Sequence, residues 1–185
     1  PLGVIANVSA WNYPYYVGGN VILPALLTGN CVLYKPSEFA TLTGMAIGAM
    51  LHLAGVPKEA FQVVCGLVGA EVVKQPIDGL FFTGSYRTGQ RIAEATAGRM
   101  LKLQLELGGK DPSYVCDDVD IKNAAASLAD GAFYNTGQSC CSVERIYVHK
   151  KIYNKFVDAF LAEVQSFKIG APTDEKTYIG PLTRH

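Results

Sequence analysis

Cys140 and Cys141 stand side by side in "YNTGQSCCSVER", between a Gly-Gln turn and a run of strand-forming residues. A thiol at a turn, close to backbone N–H groups, can be moved towards thiolate from its reference value of about 8.5, and the thiolate is the nucleophile. The other reading is the common fate of a cysteine, a small buried hydrophobe. That reading suits Cys31, Cys65 and Cys116, each inside or bordering an apolar run. Adjacent cysteines rarely reach good disulfide geometry. A zinc site fails on spacing: there is no C-x-x-C, and His149 lies within strand-like sequence rather than beside a second ligand. His52 falls in an apolar helical period, where a core or boundary place is expected, and His185 ends the chain.

Three further groups carry polar chemistry. Glu106 interrupts the apolar run of "LQLELGGK". A carboxylate held among apolar side chains is desolvated, which suits a general base near neutral pH. Equally, Gln104 and Glu106 could be the solvent face of an alternating edge strand, and the pattern alone leaves both readings open. In "KPSE", Lys35 and Glu38 lie one turn apart; an ammonium and a carboxylate together can hydrogen-bond a ribose diol, or form an exposed surface pair of little consequence. In "FTGSYRTGQRI", Gly84 and Gly89 enter a helix, where backbone can approach a ligand and free N–H groups can meet a pyrophosphate. Gln90 and Arg91 stand where a P-loop requires Lys and Ser/Thr, and the plain alternative is ordinary turn punctuation.

The elements that must position these groups follow from periodicity. "LGVIANV" reads as a strand, "VGGNVILPALLTGN" as a helix closing near Gly29, and "CVLYKP" as a strand stopped by Pro36. Helix and strand then alternate through "TLTGMAIGAMLHLAG", "FQVVCG", "VGAEVVKQ", "GLFFTG" and "TGQRIAEATAG" to the strand "MLKLQLELGG". Such alternation predicts βαβ units in a doubly wound, mostly parallel α/β sheet. Ligands of such sheets sit beyond the carboxyl ends of the strands. "WNYP", "KPSE", "FTGSYRTG" and "LELGGK" all fall at such ends. Beyond "LGGKDP" come a strand, an Ala-rich helix, the strand "SVERIYVH", a helix with Tyr153, Phe156, Val157, Phe160, Leu161 and Val164 on one face, and a loop-like tail. A boundary near residue 107 is expected, giving domains 1–107 and 108–185.

Composition narrows the partners. The 185 residues are 49% hydrophobic and 17% charged, with 16 basic and 16 acidic side chains. That balance offers no footprint for nucleic acid or an anionic membrane, and "VGGNVILPALL" is too short and interrupted to span a bilayer. Five cysteines, an odd number without framework spacing, favour free thiols in a reducing compartment, with the cytoplasm as the default.

Together, "PLGVIANVSAWNYP", "LLTGNCVLYKPSE", "GLFFTGSYRTGQRI", "LQLELGGKDP" and "FYNTGQSCCSVERIYV" resemble, in order and spacing, the aldehyde dehydrogenase superfamily. The resemblance implies a Rossmann-like cofactor domain over 1–107, N-terminally incomplete, and the start of a second α/β catalytic domain over 108–185, C-terminally truncated. It implies that Cys140 is the nucleophile, with Cys141 pointing elsewhere, that Glu106 is the general base, and that the Asn12 side chain stabilises the oxyanion with the Cys140 backbone N–H. Lys35 and Glu38 match adenine-ribose contacts, Gly84, Ser85 and Gly89 the phosphate-side turn, and Trp11 a further cofactor contact. The implied reaction oxidises an aldehyde to a carboxylic acid through a cysteine thiohemiacetal and thioester, with NAD as cofactor and NADP as the alternative. Glu106 argues against the coenzyme-A-acylating branch. Ser142 stands where the family more often has a very small residue, so a crowded turn is expected. The family's later Glu-x-Phe-Gly-Pro segment does not occur, so little turnover is expected of these residues alone. The resemblance also implies a homo-oligomer, dimer or tetramer. Two other readings keep the fold: a semialdehyde dehydrogenase preferring NADP, and a non-catalytic nucleotide-binding relative.

Overall fold

A computed structural model describes residues 1–184; His185 lies outside the described residues. The chain divides into two compact units, Pro1–Leu107 and Gly108–His185.

In the first unit five parallel strands, β1 (Val4–Val8), β2 (Cys31–Lys35), β3 (Phe61–Val63), β4 (Gly79–Thr83) and β5 (Lys102–Glu106), lie in the order β3-β2-β1-β4-β5. The order reverses direction between β1 and β4, the switch point at which open α/β sheets bind ligands. Helices α1 (Pro14–Leu27) and α2 (Thr41–Leu53) cover one face, burying Ile5, Ile22, Val32, Tyr34, Ile47 and Phe61. On the other face α3 (Gly69–Lys74) and α4 (Tyr86–Thr96) pack over Ala6, Val8, Leu80 and Phe82. β1, β2 and β4 are largely apolar and largely buried because both faces of the sheet are covered there.

The helix stops are chemical. Pro14 opens α1, where its missing N–H costs nothing. Gly29, at φ +79°, follows the cap residue, with Gly29 N donating to Leu26 O and Asn30 N to Ala25 O. Gly55, at φ +96°, ends α2 in the same way, with Val56 N donating to Leu51 O. Both are left-handed glycine caps of the Schellman type, which turn the chain directly into the next strand or loop.

The second unit holds a parallel pair, β6 (Asp111–Val115) and β7 (Val143–Val148), crossed by α5 (Ile121–Phe133) and followed by α6 (Tyr153–Ser166). Asp120 caps α5 by accepting from Asn123 N at 3.0 Å. Val115, Ala125, Ile152 and Phe156 form the core. The tail, expected to be loop alone, is tied down. Ile169 bridges Ile179, the Tyr178 ring stacks on Phe167 with centroids 4.1 Å apart, and the Tyr178 hydroxyl donates to Asp130 of α5. Burial and the Asp130 carboxylate push the Tyr178 phenol up to about 12.

Two expectations are corrected. Cys31, Cys65 and Cys116 are exposed, not buried. Cys31 opens β2 while Cys65 and Cys116 follow β3 and β6, so each lies at a strand end beyond the helical cover. His149 falls one residue past β7, where it caps a short turn by accepting from Lys151 N at 3.3 Å.

Candidate active site

Strand register gathers most of the expected site residues within the first unit. Val8 pairs with Lys35 on one side and Phe82 on the other, while Thr83 pairs with Glu106. The carboxyl ends of β1, β2, β4 and β5 are therefore level. Ser9 N donates to Lys35 O at 3.0 Å and Gly84 N to Glu106 O at 3.0 Å, which extends the ladder past the strands. Trp11 and Asn12 occupy the turn from β1 into α1 and are half-buried. Lys35, Glu38, Gly84, Ser85 and Glu106 follow along the same edge. Cys140 belongs to the second unit.

Lys35 is not the exposed partner that one open reading had it. Only 6% of it is exposed, and its Nζ lies 3.3 Å from Glu38 Oε2, whose side chain is 43% exposed. A buried ammonium is retained only where something pairs with it, and Glu38 also reaches solvent. In the parallel ladder Lys35 lies beside Val8 and on its face. On that face a cleft of about 700 Å³ opens between α3 and α4, with Val8, Ala70, Val73, Pro76, Thr88 and Ile92 in its lining. Its size and apolar walls suit a planar heterocycle with a polar edge. Sequence reasoning missed this cleft. Its signals were the small pair Gly69-Ala70 opening α3 and the apolar spacing of α4. Arg99, on the rim, is structural: its guanidinium donates to Val73 O, to Gln75 O at 2.7 Å and to Ile77 O at 3.4 Å, closing the end of α3.

The glycine-rich turn is read differently by the structure. A side chain at Gly89 would lie 2.7 Å from Leu107 Cδ2, and one at Gly84 would lie 2.6 Å from Phe82 Cζ. Gly89 is buried in the helix and packs on the sheet, so close helix–strand approach is its first requirement. Ser85 caps α4, its Oγ accepting from Thr88 N at 3.3 Å. Around Glu106, the pattern is the alternating edge strand: Lys102, Gln104 and Glu106 are exposed and Leu103 and Leu105 pack into the core. Gln104 Nε2 donates to Glu106 at 3.2 Å. Of the two open readings, the desolvated carboxylate is not the one the described residues display.

The cysteine turn is built by backbone strain. After α5, Asn135, Thr136 and Gly137 adopt φ of 49°, 61° and 70°. A β-branched residue with positive φ is an outlier of the kind that collects at functional sites. Reciprocal bonds hold the turn: Asn135 Nδ2 donates to Gln138 O at 3.2 Å, Gln138 Nε2 to Asn135 O at 3.0 Å, and Thr183 N to Gln138 Oε1 at 2.9 Å. Gly109 presses on the same turn, since a Cβ there would stand 2.7 Å from the Cys140 carbonyl oxygen. Ser142 does not crowd the turn. It is buried and donates to Ala132 O at 3.1 Å, which pins the start of β7 to the end of α5.

Both thiols are free and exposed, and they titrate in opposite directions. Burial pushes the Cys140 thiol up, and the Cys141 charge beside it adds to the effect. Hydrogen bonds from Ser139 and then Tyr134 pull the Cys141 thiol down. The Cys141 sulfur lies 3.3 Å from both the Tyr134 and the Ser139 hydroxyl oxygens. Among the described residues no three His, Cys, Asp or Glu side chains cluster as metal ligands, and no helix is long and apolar enough to cross a membrane.

Comparison with known proteins gives a consistent result. The model of the aldehyde dehydrogenase family matches residues 1–185. A betaine aldehyde dehydrogenase of Rhizobium leguminosarum bv. trifolii is 40% identical over 98% of this chain, and a 3,6-anhydro-alpha-L-galactose dehydrogenase of a Vibrio species is 37% identical over 98%. The chain spans about 38% of the length of these relatives. The structure of a 3,6-anhydro-L-galactose dehydrogenase in complex with NAP superposes with a TM-score of 0.95 at 36% identity, covering 100% of this chain and 40% of that one. A Mycobacterium tuberculosis aldehyde dehydrogenase complexed with NAD+ superposes at 0.94 and 33% identity, covering 100% and 39%.

Proposed function

The chain belongs to the aldehyde dehydrogenase family, and from that premise we propose that it serves the NAD-dependent oxidation of an aldehyde to a carboxylic acid. The first unit binds the cofactor and the second supplies the nucleophile. Lys35 and Glu38 hold the adenine ribose beside the α3–α4 cleft, the exposed carboxylate accepting from the diol and disfavouring a 2′-phosphate. Ser85, Gly84 and the amino end of α4 face the phosphates, Gly89 sets the close packing of that helix, and Trp11 contacts the cofactor from the β1 turn.

Cys140 attacks the aldehyde carbonyl as a thiolate, and the Asn12 amide and the Cys140 backbone N–H stabilise the resulting oxyanion. What NAD supplies when bound is a hydride acceptor, the oxidation that converts a Cys140 thiohemiacetal into a thioester. Glu106 then takes a proton from water as the thioester is hydrolysed. The observation that carries this reading is the strained left-handed run Asn135–Gly137, which delivers the Gly-Gln-Ser-Cys turn. Strain of that kind persists only where the surroundings over-determine it.

The test is formation of reduced nicotinamide by the intact protein with a panel of aliphatic aldehydes, betaine aldehyde and a 3,6-anhydro sugar aldehyde. Cys140→Ala should lose activity by at least about a thousandfold while Cys141→Ala retains it, consistent with loss of a covalent nucleophile. Equal activity of Cys140→Ala and the parent would sink the assignment. Cofactor binding without turnover on any aldehyde would favour a non-catalytic nucleotide binder.

A further inference from the structure

Two polar side chains lie in the apolar layer between the sheet and α1. Asn7 is 1% exposed and Tyr34 is 0% exposed. They are partners across β1 and β2, on the face that α1 covers. Asn7 Nδ2 donates to the Gly18 carbonyl oxygen at 3.2 Å. Gly18 is buried within α1, and a Cβ there would stand 2.8 Å from the Tyr34 hydroxyl oxygen. The amide therefore ties the helix to the sheet, and the phenol sets how near it comes. Carbonyls inside a helix are already used by its own ladder, so Gly18 does not need the Asn7 bond. A polar group is costly to bury, and packing alone is served by an apolar side chain. The pair answers a demand for position.

That demand lies at the start of α1. Only Ala10, Trp11, Asn12 and Tyr13 separate Ser9 from Pro14. Ser9 N donates to Lys35 O at 3.0 Å and Val17 N to Tyr13 O at 2.8 Å, so the link is held at both ends. It contains no glycine, and Pro14 has a fixed φ and restricts Tyr13 before it. A shift of α1 is therefore passed on to Asn12 instead of being absorbed. We propose that Asn7, with Tyr34 as its stop, is a positioning residue that sets the place of the Asn12 amide through the seat of α1. This rests on the reading of Asn12 as the oxyanion donor. Misplacing such a group by about 1 Å can lower a rate by about a hundredfold.

The intact protein is labelled with 5-fluorotryptophan, and the Trp11 fluorine resonance is assigned by its loss in Trp11→Phe. Asn7→Val removes the donor; it should move that resonance and lower kcat for aldehyde by about tenfold or more, with little change in KM. In an Asn12→Ala background the same substitution should change kcat by less than about twofold, because nothing is left to place. Gly18→Ala keeps Asn7 and sets a methyl against Tyr34. It should also move the resonance, and adding Tyr34→Phe should bring it back towards the parent; this pair carries the test if Asn7→Val does not fold. A Trp11 resonance unmoved in the folded variants, or effects of Asn7→Val and Asn12→Ala that simply multiply, would overturn the proposal. A parent without turnover on any aldehyde is instead a failure of the dehydrogenase reading. The resonance needs no turnover, and it then decides by itself whether Asn7 sets the turn.

Discussion

At Cys140 the largest influence is burial and the second is the charge on Cys141, and both favour the protonated thiol. On the proposed reading of Cys140 as the nucleophile, a raised pKa makes it fully active only above the ordinary thiol range, so kcat/KM for aldehyde should keep rising with pH beyond that range. Cys141→Ala removes the neighbouring charge but not the burial. The acid limb of the profile should therefore move part of the way to lower pH, and a limb that stays put or moves up would show that the two sulfurs do not interact. At this scale the sequence reading was mixed. The types and order of Cys140, Glu106, Asn12 and the Lys35–Glu38 pair were legible as a motif. The burial of Lys35 and the orientation of Glu106 were not, because both depend on which face of a strand a neighbouring helix covers. The same limit misplaced Cys31, Cys65 and Cys116, whose apolar neighbours are covered while they themselves are not.

Among the elements, two glycines that look alike in sequence answer to different constraints. The space beside Gly89 is filled by the far end of the Leu107 side chain, whereas Gly109 faces the Cys140 carbonyl oxygen and the Asp111 carboxylate. A leucine tip can move, but a backbone carbonyl held in a strained turn cannot. Gly89→Ala should therefore stay within about 1 kcal/mol of the parent, the helical preference for alanine offsetting the tighter packing. Gly109→Ala should cost about 1–3 kcal/mol and lower the dehydrogenase rate, read by denaturant unfolding beside the turnover assay. Equal effects would remove the argument that Gly109 shapes the cysteine turn. Strands and helices were legible here because their periodicities are local and their stops are glycines with positive φ, as at Gly29 and Gly55. The tail was read as loop because its anchors, Tyr178 to Asp130 and to Phe167, join residues distant in sequence.

On the scale of the molecule, the proposed cofactor site predicts a linkage between ligand and stability. NAD at about 100 times its Kd should stabilise the folded protein by about 2.7 kcal/mol, seen as a rise in thermal midpoint. Lys35→Met keeps the buried volume and should abolish most of that rise. Glu38→Gln should narrow the preference for NAD over NADP, since it removes the carboxylate that opposes a 2′-phosphate. A midpoint that rises equally in Lys35→Met would place the cofactor elsewhere. Alternating strand and helix periods, free of long loops, determined by themselves that this is a parallel α/β protein, since right-handed crossovers leave few other ways to bury two-sided apolar strands. Motif order alone pointed to the family. The tertiary structure decided the strand order with its reversal at β1 and β4, the level carboxyl edge, and the cleft between α3 and α4. It also decided which of two adjacent thiols meets the hydroxyls. Each of these is a relation between residues far apart in the chain or a matter of side-chain direction, and neither is carried by local periodicity.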